Sequence, residues 1–279
     1  MGASVLRRGV RPRGGGVETG MRLSGKTVVV AGGTGGIGSE VARGIVREGG
    51  NVLLVARDGA RLAERAAELD ALAGRGGAAI PFVADAGSQA ALSAAAAEAV
   101  ARFGRLDGWV HAVGSILLKP LSATGEEDFA RQLDLNAGSA FRALHAALGP
   151  MRKQRGGSIV LFGSAAASLG LPNHAAISAA KAAVVGLARS AAMDLARYGI
   201  RVNVVSPGLV RTSMSAAITS SEASLKVSQA MHPTGRISEP ADVAAAVLYL
   251  LSDGAANVTG AVLPVDGGMA AGRPPALAS

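Results

Sequence analysis

The chain has 279 residues, enough for one large domain or two small ones. Nearly half of them are apolar (49%) but only 3% are aromatic, so a sizeable core has to be filled with Ala, Val, Leu and Ile. There is no cysteine, which excludes disulfides, thiolate nucleophiles and cysteine metal sites; the net charge of +8 points to an anionic partner. The basic residues are not interleaved with aromatics, so nucleic acid is not the expected partner. No unbroken apolar run approaches the ~18–20 residues that cross a bilayer, so no membrane span is expected.

Residues 1–20 carry Arg7, Arg8, Arg11 and Arg13 against one acid, Glu18. They have neither the apolar core of a secretory signal nor helical periodicity. They read as a disordered tail, or as sequence upstream of a start at Met21. Residues 21–279 then form a single domain.

From Thr27 onward, strand and helix patterns alternate. "TVVVAGG" is a short apolar run ending in glycines, as in a buried parallel strand. "IGSEVARGIVREGG" has helical spacing and stops at Gly49 and Gly50. "NVLLVAR" is a second strand, "GARLAERAAELDALAG" an amphipathic helix, and "AAIPFVAD" a third strand. The helix "SQAALSAAAAEAVARFG" leads to a fourth strand, "GWVHAVG". One long helix is expected over about 126–153, then a fifth strand, "SIVLFGS". "LPNHAAISAAKAAVVGLARS" opens a further helix. "RVNVVSPG" and "AVLPVDGG" are the last two strands, with the helix "EPADVAAAVLYLLS" between them. This order predicts an α/β chain with one doubly wound, seven-stranded parallel sheet flanked by helices. Such sheets bind ligands at the carboxyl ends of their strands.

The residues after the strands carry the chemistry. "VVVAGGTGGIG" sets Gly32, Thr34, Gly36, Ile37 and Gly38 between the first strand and the first helix. Glycines there permit a tight turn and let backbone N–H groups reach a pyrophosphate at the helix N-terminus. The second strand ends at Ala56 and Arg57. An acid at this point would accept from a ribose 2′-OH, whereas a guanidinium suits a 2′-phosphate, which favours NADP(H). Asp58 reads as the cap of the next helix. Asp85, ending the third strand, is positioned for an adenine amino group.

These features resemble the short-chain dehydrogenases/reductases from about Leu23 to Gly268. The glycine turn is similar, with Ala31 where the family usually has Thr. "LDLNAGSAF" puts Asn136 at the family's structural and catalytic asparagine. "SIVLFGSAAAS" puts Ser164 at its catalytic serine. "IRVNVVSPGLVRT" supplies Pro207, Gly208 and Thr212, the threonine matching one that meets the nicotinamide carboxamide. Gly114 stands in the segment after the fourth strand. The resemblance implies a Rossmann fold and a small-molecule oxidoreductase in the cytoplasm. It implies a homotetramer or homodimer joined partly through the helix that opens at "LPNH" and the one before it. No metal site is expected.

The resemblance also implies a Tyr-x-x-x-Lys pair with a serine thirteen residues before the tyrosine. Lys181 and Ser164 are in that register, and the tyrosine position holds Ile177. Isoleucine cannot supply the proton that carbonyl reduction requires. Tyr198 and Tyr249, the only tyrosines, are not expected to reach the site. "DGWVHAVGS" looks like the enoyl-acyl-carrier-protein reductases, a branch that uses Tyr-x6-Lys. Counting back from Lys181 in that register gives His174, two helical turns away on the same face if the helix extends that far. His174 is therefore either a replacement acid or a helix-terminal residue facing solvent after a cap at Asn173. His111 reads chiefly as packing beside the cofactor. The stretch 209–235 suits a substrate lid in which Met214, Ile218, Leu225 and Met231 line an apolar pocket or simply pack. With no phenol, two functions remain: reduction of a polarised C=C or C=O of a small or acyl-type substrate, or an NADP(H)-binding pseudoenzyme or partner subunit.

Overall fold

The structure is a computed structural model and describes residues 21–73 and 77–272, so the arginine-rich first twenty residues lie outside it. The strands are β1 (Thr27–Ala31), β2 (Asn51–Ala56), β3 (Ala79–Val83), β4 (Gly108–His111), β5 (Gly157–Phe162), β6 (Ile200–Pro207) and β7 (Val262–Val265). They form one parallel sheet in the order β3-β2-β1-β4-β5-β6-β7. The helices are α1 (Gly36–Arg47), α2 (Gly59–Leu72), α3 (Gln89–Phe103), α4 (Glu126–Leu133), α5 (Ser139–Gln154), α6 (Ala175–Leu195), α7 (Glu222–Ala230) and α8 (Pro240–Leu251).

Helices cover both faces of the sheet, which is why the central strands are apolar at nearly every position rather than at alternate ones. Val30, Leu54, Val110 and Val205 face α1, α2 and α8; Val29, Trp109, Leu161 and Val204 face α3, α5 and α6. The chain runs outward from β1 to β3 and then returns to place β4 on the other side of β1. The connections after β1 and β4 therefore leave in opposite directions, and a crevice opens between them at the carboxyl edge.

Two expectations need correction. The helix expected over 126–153 is not uniform: α4 and α5 are joined by a π-helical turn, Asp134–Gly138. Its wider spacing frees backbone carbonyls, and side chains take them up. Asn136 Nδ2 donates to Gln132 O (2.9 Å) and Ser139 Oγ donates to Leu135 O (2.7 Å). The second correction concerns membrane length. Ala175–Tyr198 has 24 residues and contains an 18-residue stretch of mean hydropathy 1.3, so it is long and apolar enough to cross a bilayer by length and composition. Its apolarity comes largely from alanine, and it lays Ile177, Ala180, Val184, Ala188 and Ala192 onto the protein interior.

Candidate active site

The first wall of the crevice is the glycine turn. Gly32 and Gly33 donate to Val55 O (2.8 and 3.2 Å), which folds the turn back over β2. A Cβ at Gly38 would lie 2.2 Å from Gly32 O, so the helix can begin this close to the turn only with glycine there. Gly35 occupies the cap position of α1 and offers no side-chain acceptor. The first N–H groups of α1 are thus left to an external anion. Thr34 and Ile37 flank the turn, and Thr212 Cγ2 stands over Gly36.

Arg57 follows β2 immediately and is exposed. Asp58 caps α2 by accepting from Arg61 N (3.1 Å), as the sequence predicts. Asp85 is also exposed, but it does not end β3: the strand stops at Val83, and Asp85 Oδ1 holds Gly87 N at 2.8 Å in the following turn. These two residues lie along the carboxyl edge and outside the cavity described next.

Beyond β4 the chain approaches the π turn. A Cβ at Gly114 would lie 2.6 Å from Asn136 Oδ1 and 3.3 Å from Lys181 Nζ. Gly114, Asn136 and Lys181 therefore meet at one point, although 67 residues separate the outer two in sequence. Lys181 Nζ is enclosed and donates to Phe162 O (3.1 Å) at the end of β5. Burial pushes its ammonium down to about 8. Ser164, two residues past β5, caps a short 3-10 turn and its Oγ accepts from Ala166 N (3.2 Å). With the acceptor side engaged, the Ser164 O–H remains available to donate.

A cavity of about 340 Å³ joins these groups. Ile37, Gly114, Ser164, His174, Lys181 and Thr212 line it, and Pro207 and Gly208 form its base at the end of β6. Ile177, 3% exposed, occupies the wall one helical turn before Lys181. No tyrosine is among the described residues of the lining. Tyr198 lies at the far end of α6 against the guanidinium groups of Arg152 and Arg197, and Tyr249 is on α8.

His174 lines the cavity, but not from within the helix. α6 begins at Ala175; His174 itself is at the cap position, and Asn173 before it adopts a left-handed conformation (φ +64°) rather than capping. The Asn173 carbonyl accepts from Lys119 N (2.9 Å), and this fixes the bend. His174 Nδ1 donates to Pro172 O at 2.6 Å, which leaves Nε2 as the nitrogen able to exchange a proton. In the lid, Met214, Ile218 and Met231 line the cavity and Leu225 does not.

Two buried histidines matter more than their sequence context indicates. His111 Nε2 donates to Ser139 Oγ (2.9 Å), while its Nδ1 has no partner among the described residues. Burial, with the Lys181 charge adding to it, pushes His111 down to about 3, so it is neutral at ordinary pH and not an acid. His232, after α7, donates from Nδ1 to Ser228 O (2.7 Å) and accepts from Leu209 N at Nε2 (3.2 Å), tying the lid to the end of β6. Neither partnership has a sequence signal, since Ser139 and Leu209 are 28 and 23 residues away.

Comparison with known proteins agrees with this geometry. The family model described as enoyl-(acyl carrier protein) reductase matches residues 31–270. An inactive 2-(S)-hydroxypropyl-CoM dehydrogenase 2 of Xanthobacter autotrophicus is 41% identical over 235 residues, 83% of this chain and 100% of the relative. A 2,5-dichloro-2,5-cyclohexadiene-1,4-diol dehydrogenase of Sphingobium indicum is 39% identical over 253 residues, 89% of this chain and 98% of the relative. The solved structure of a short-chain type dehydrogenase/reductase from Mycobacterium ulcerans superposes with a TM-score of 0.87 at 37% identity, covering 90% of this chain and 92% of that one. The chain belongs to the short-chain dehydrogenase/reductase family of nicotinamide-dependent oxidoreductases.

Proposed function

We propose that this protein is an NADP(H)-dependent oxidoreductase that reduces a polarised C=O or C=C bond of a small or acyl-type substrate, with His174 handling the proton in place of a phenol. One observation carries the reading: Ser164, His174 and Lys181 line a single cavity in which the position one turn before the lysine is Ile177. The close-packed glycine cradle ending at Gly38 fits a dinucleotide pyrophosphate. Arg57 at the end of β2, with Asp58 committed to capping α2, favours a 2′-phosphate.

When bound, the nicotinamide supplies hydride to carbon or takes it in the reverse direction. The protein's task is to hold the substrate oxygen and move a proton. The Ser164 hydroxyl donates to that oxygen, and the Lys181 ammonium orients the cofactor ribose and adds positive potential as negative charge develops. His174 Nδ1 is anchored on Pro172 O, which orients the ring so that an Nε2–H can be given up to an alkoxide. With an α,β-unsaturated substrate the same donors stabilise an enolate oxygen, and the proton goes to Cα.

The direct test is oxidation of NADPH by the purified protein with a panel of enoyl thioesters, quinones and ketones. Turnover with NADPH above that with NADH supports the reading. Measurable NADPH binding with no turnover across the panel favours the second reading, a cofactor-binding pseudoenzyme or partner subunit; Ile177 and the inactive Xanthobacter relative recommend it. A homotetramer or homodimer is proposed through α4, α5 and α6, where Phe129, Phe141 and Met193 are exposed.

A further inference from the structure

We infer that the cavity selects the uncharged, apolar part of a substrate and rejects a second anionic group on it. The inference rests on the reading above, that this cavity receives the substrate. Ile116, Leu118, Met214 and Met231 are each between 38% and 54% exposed, and all four line the cavity. Two come from the segment after β4 and two from the lid after β6, so the fold assembles this surface from distant parts of the chain. Large apolar side chains left uncovered together mark a surface that is covered by a ligand or partner in use. Here they enclose a volume next to the Ser164 hydroxyl, which makes a small apolar ligand the fitting occupant.

The charges on the segments bearing these side chains are already matched. Lys119 pairs with Asp128 (2.6 Å), Arg211 with Glu239 (2.9 Å) and Lys226 with Glu222 (2.8 Å). Among the described residues of the lining, the cationic groups are Lys181, bonded to Phe162 O, and, in the proposed chemistry, His174, both at the reacting end. A carboxylate carried on the far side of the substrate would lose its water against Ile, Leu and Met and gain no partner there. The two lid methionines, unbranched and polarizable, adapt to rings and chains of differing outline.

A matched pair of ligands tests this without requiring turnover. Protein saturated with NADP+ is titrated by calorimetry with ethyl 4-oxocyclohexanecarboxylate and with the free 4-oxocyclohexanecarboxylate. The ester is expected to bind at least about 100-fold more tightly than the acid. In Met214→Arg, an exposed lid position, that ratio should fall below about 10-fold because the acid gains a partner. Equal or tighter binding of the acid by the unmodified protein overturns the inference, as does binding of neither compound by protein that binds NADP+. An ester that binds in preference to the acid but is never reduced by NADPH sinks the proposed activity and leaves the cavity's preference supported.

Discussion

His111 Nε2 lies 2.9 Å from Ser139 Oγ, and that hydroxyl donates onward to Leu135 O at 2.7 Å. Through this chain of two bonds, the end of β4 is tied to the π turn that carries Asn136. The imidazole is neutral in the fold, held down to about 3 by burial from an ordinary value of 6.5. The unfolded chain takes up a proton below pH 6.5 that the folded chain refuses, so stability falls as the pH drops from about 6.5 towards 3 and is unaffected by this group above that window. The expected slope from His111 alone is about 1.4 kcal/mol lost per pH unit. Urea midpoints at pH 7, 6, 5 and 4 should show this excess slope in the unmodified protein and not in His111→Asn. Parallel pH profiles for the two proteins would refute it.

Lys181 gives a prediction of opposite pH sense. Its ammonium is held down to about 8, so it is charged at neutral pH and discharged as the pH rises through that value. Phosphate groups do not titrate there, having a second pKa of about 6. NADPH affinity should therefore weaken as the pH rises through about 8. Lys181→Met should bind NADPH about 10-fold or more weakly with that pH dependence gone. Fluorescence titration of NADPH between pH 6.5 and 9.5 measures both; an unchanged pH profile in the variant assigns the dependence elsewhere.

The proton-transfer assignment rests on His174 and on the gap at Ile177. His174→Ala should lower kcat of any substrate found by about 100-fold or more while leaving NADPH affinity within about twofold. A kcat that survives the change removes His174 from the chemistry. Ile177→Tyr puts a phenol into the cavity wall one turn from Lys181 and should raise ketone reduction by at least about 10-fold. Both variants are read against the thermal midpoint, because Ile177 is buried.

Gly114 is the meeting point of Asn136 and Lys181. A Cβ there comes within 2.6 Å of Asn136 Oδ1, an atom held by the π turn and not free to swing away. Gly114→Ala should lower NADPH affinity and destabilise the fold by about 1–3 kcal/mol. A nearby control, Gly125→Ala, meets nothing within 4 Å and should be neutral within about 1 kcal/mol. Equal effects of the two would mean that the close approach at Gly114 is not what matters.

The strand–helix order, the glycine turn and the cap at Asp58 are legible in the chain, because each depends on residues close together in sequence or on a period of two or 3.6; the register of Ser164 with Lys181 is legible only through the family resemblance. The expectation that Ile177 stands where the family has its tyrosine follows from that register. The sequence could not determine where α6 begins: the helical pattern runs back through His174, but Asn173 turns left-handed and its carbonyl is taken by Lys119, 54 residues earlier, so His174 stands at the mouth of the helix. The π turn is hidden for the same reason. Its carbonyls are satisfied by Asn136 and Ser139, and Ser139 is fixed by His111 from a different strand. Local pattern determined the elements and their order. The position of His174, the seat of Asn136 and the apolar cavity facing them were decided only by tertiary contacts, because a buried polar group takes whichever partner the packed fold brings within hydrogen-bond distance.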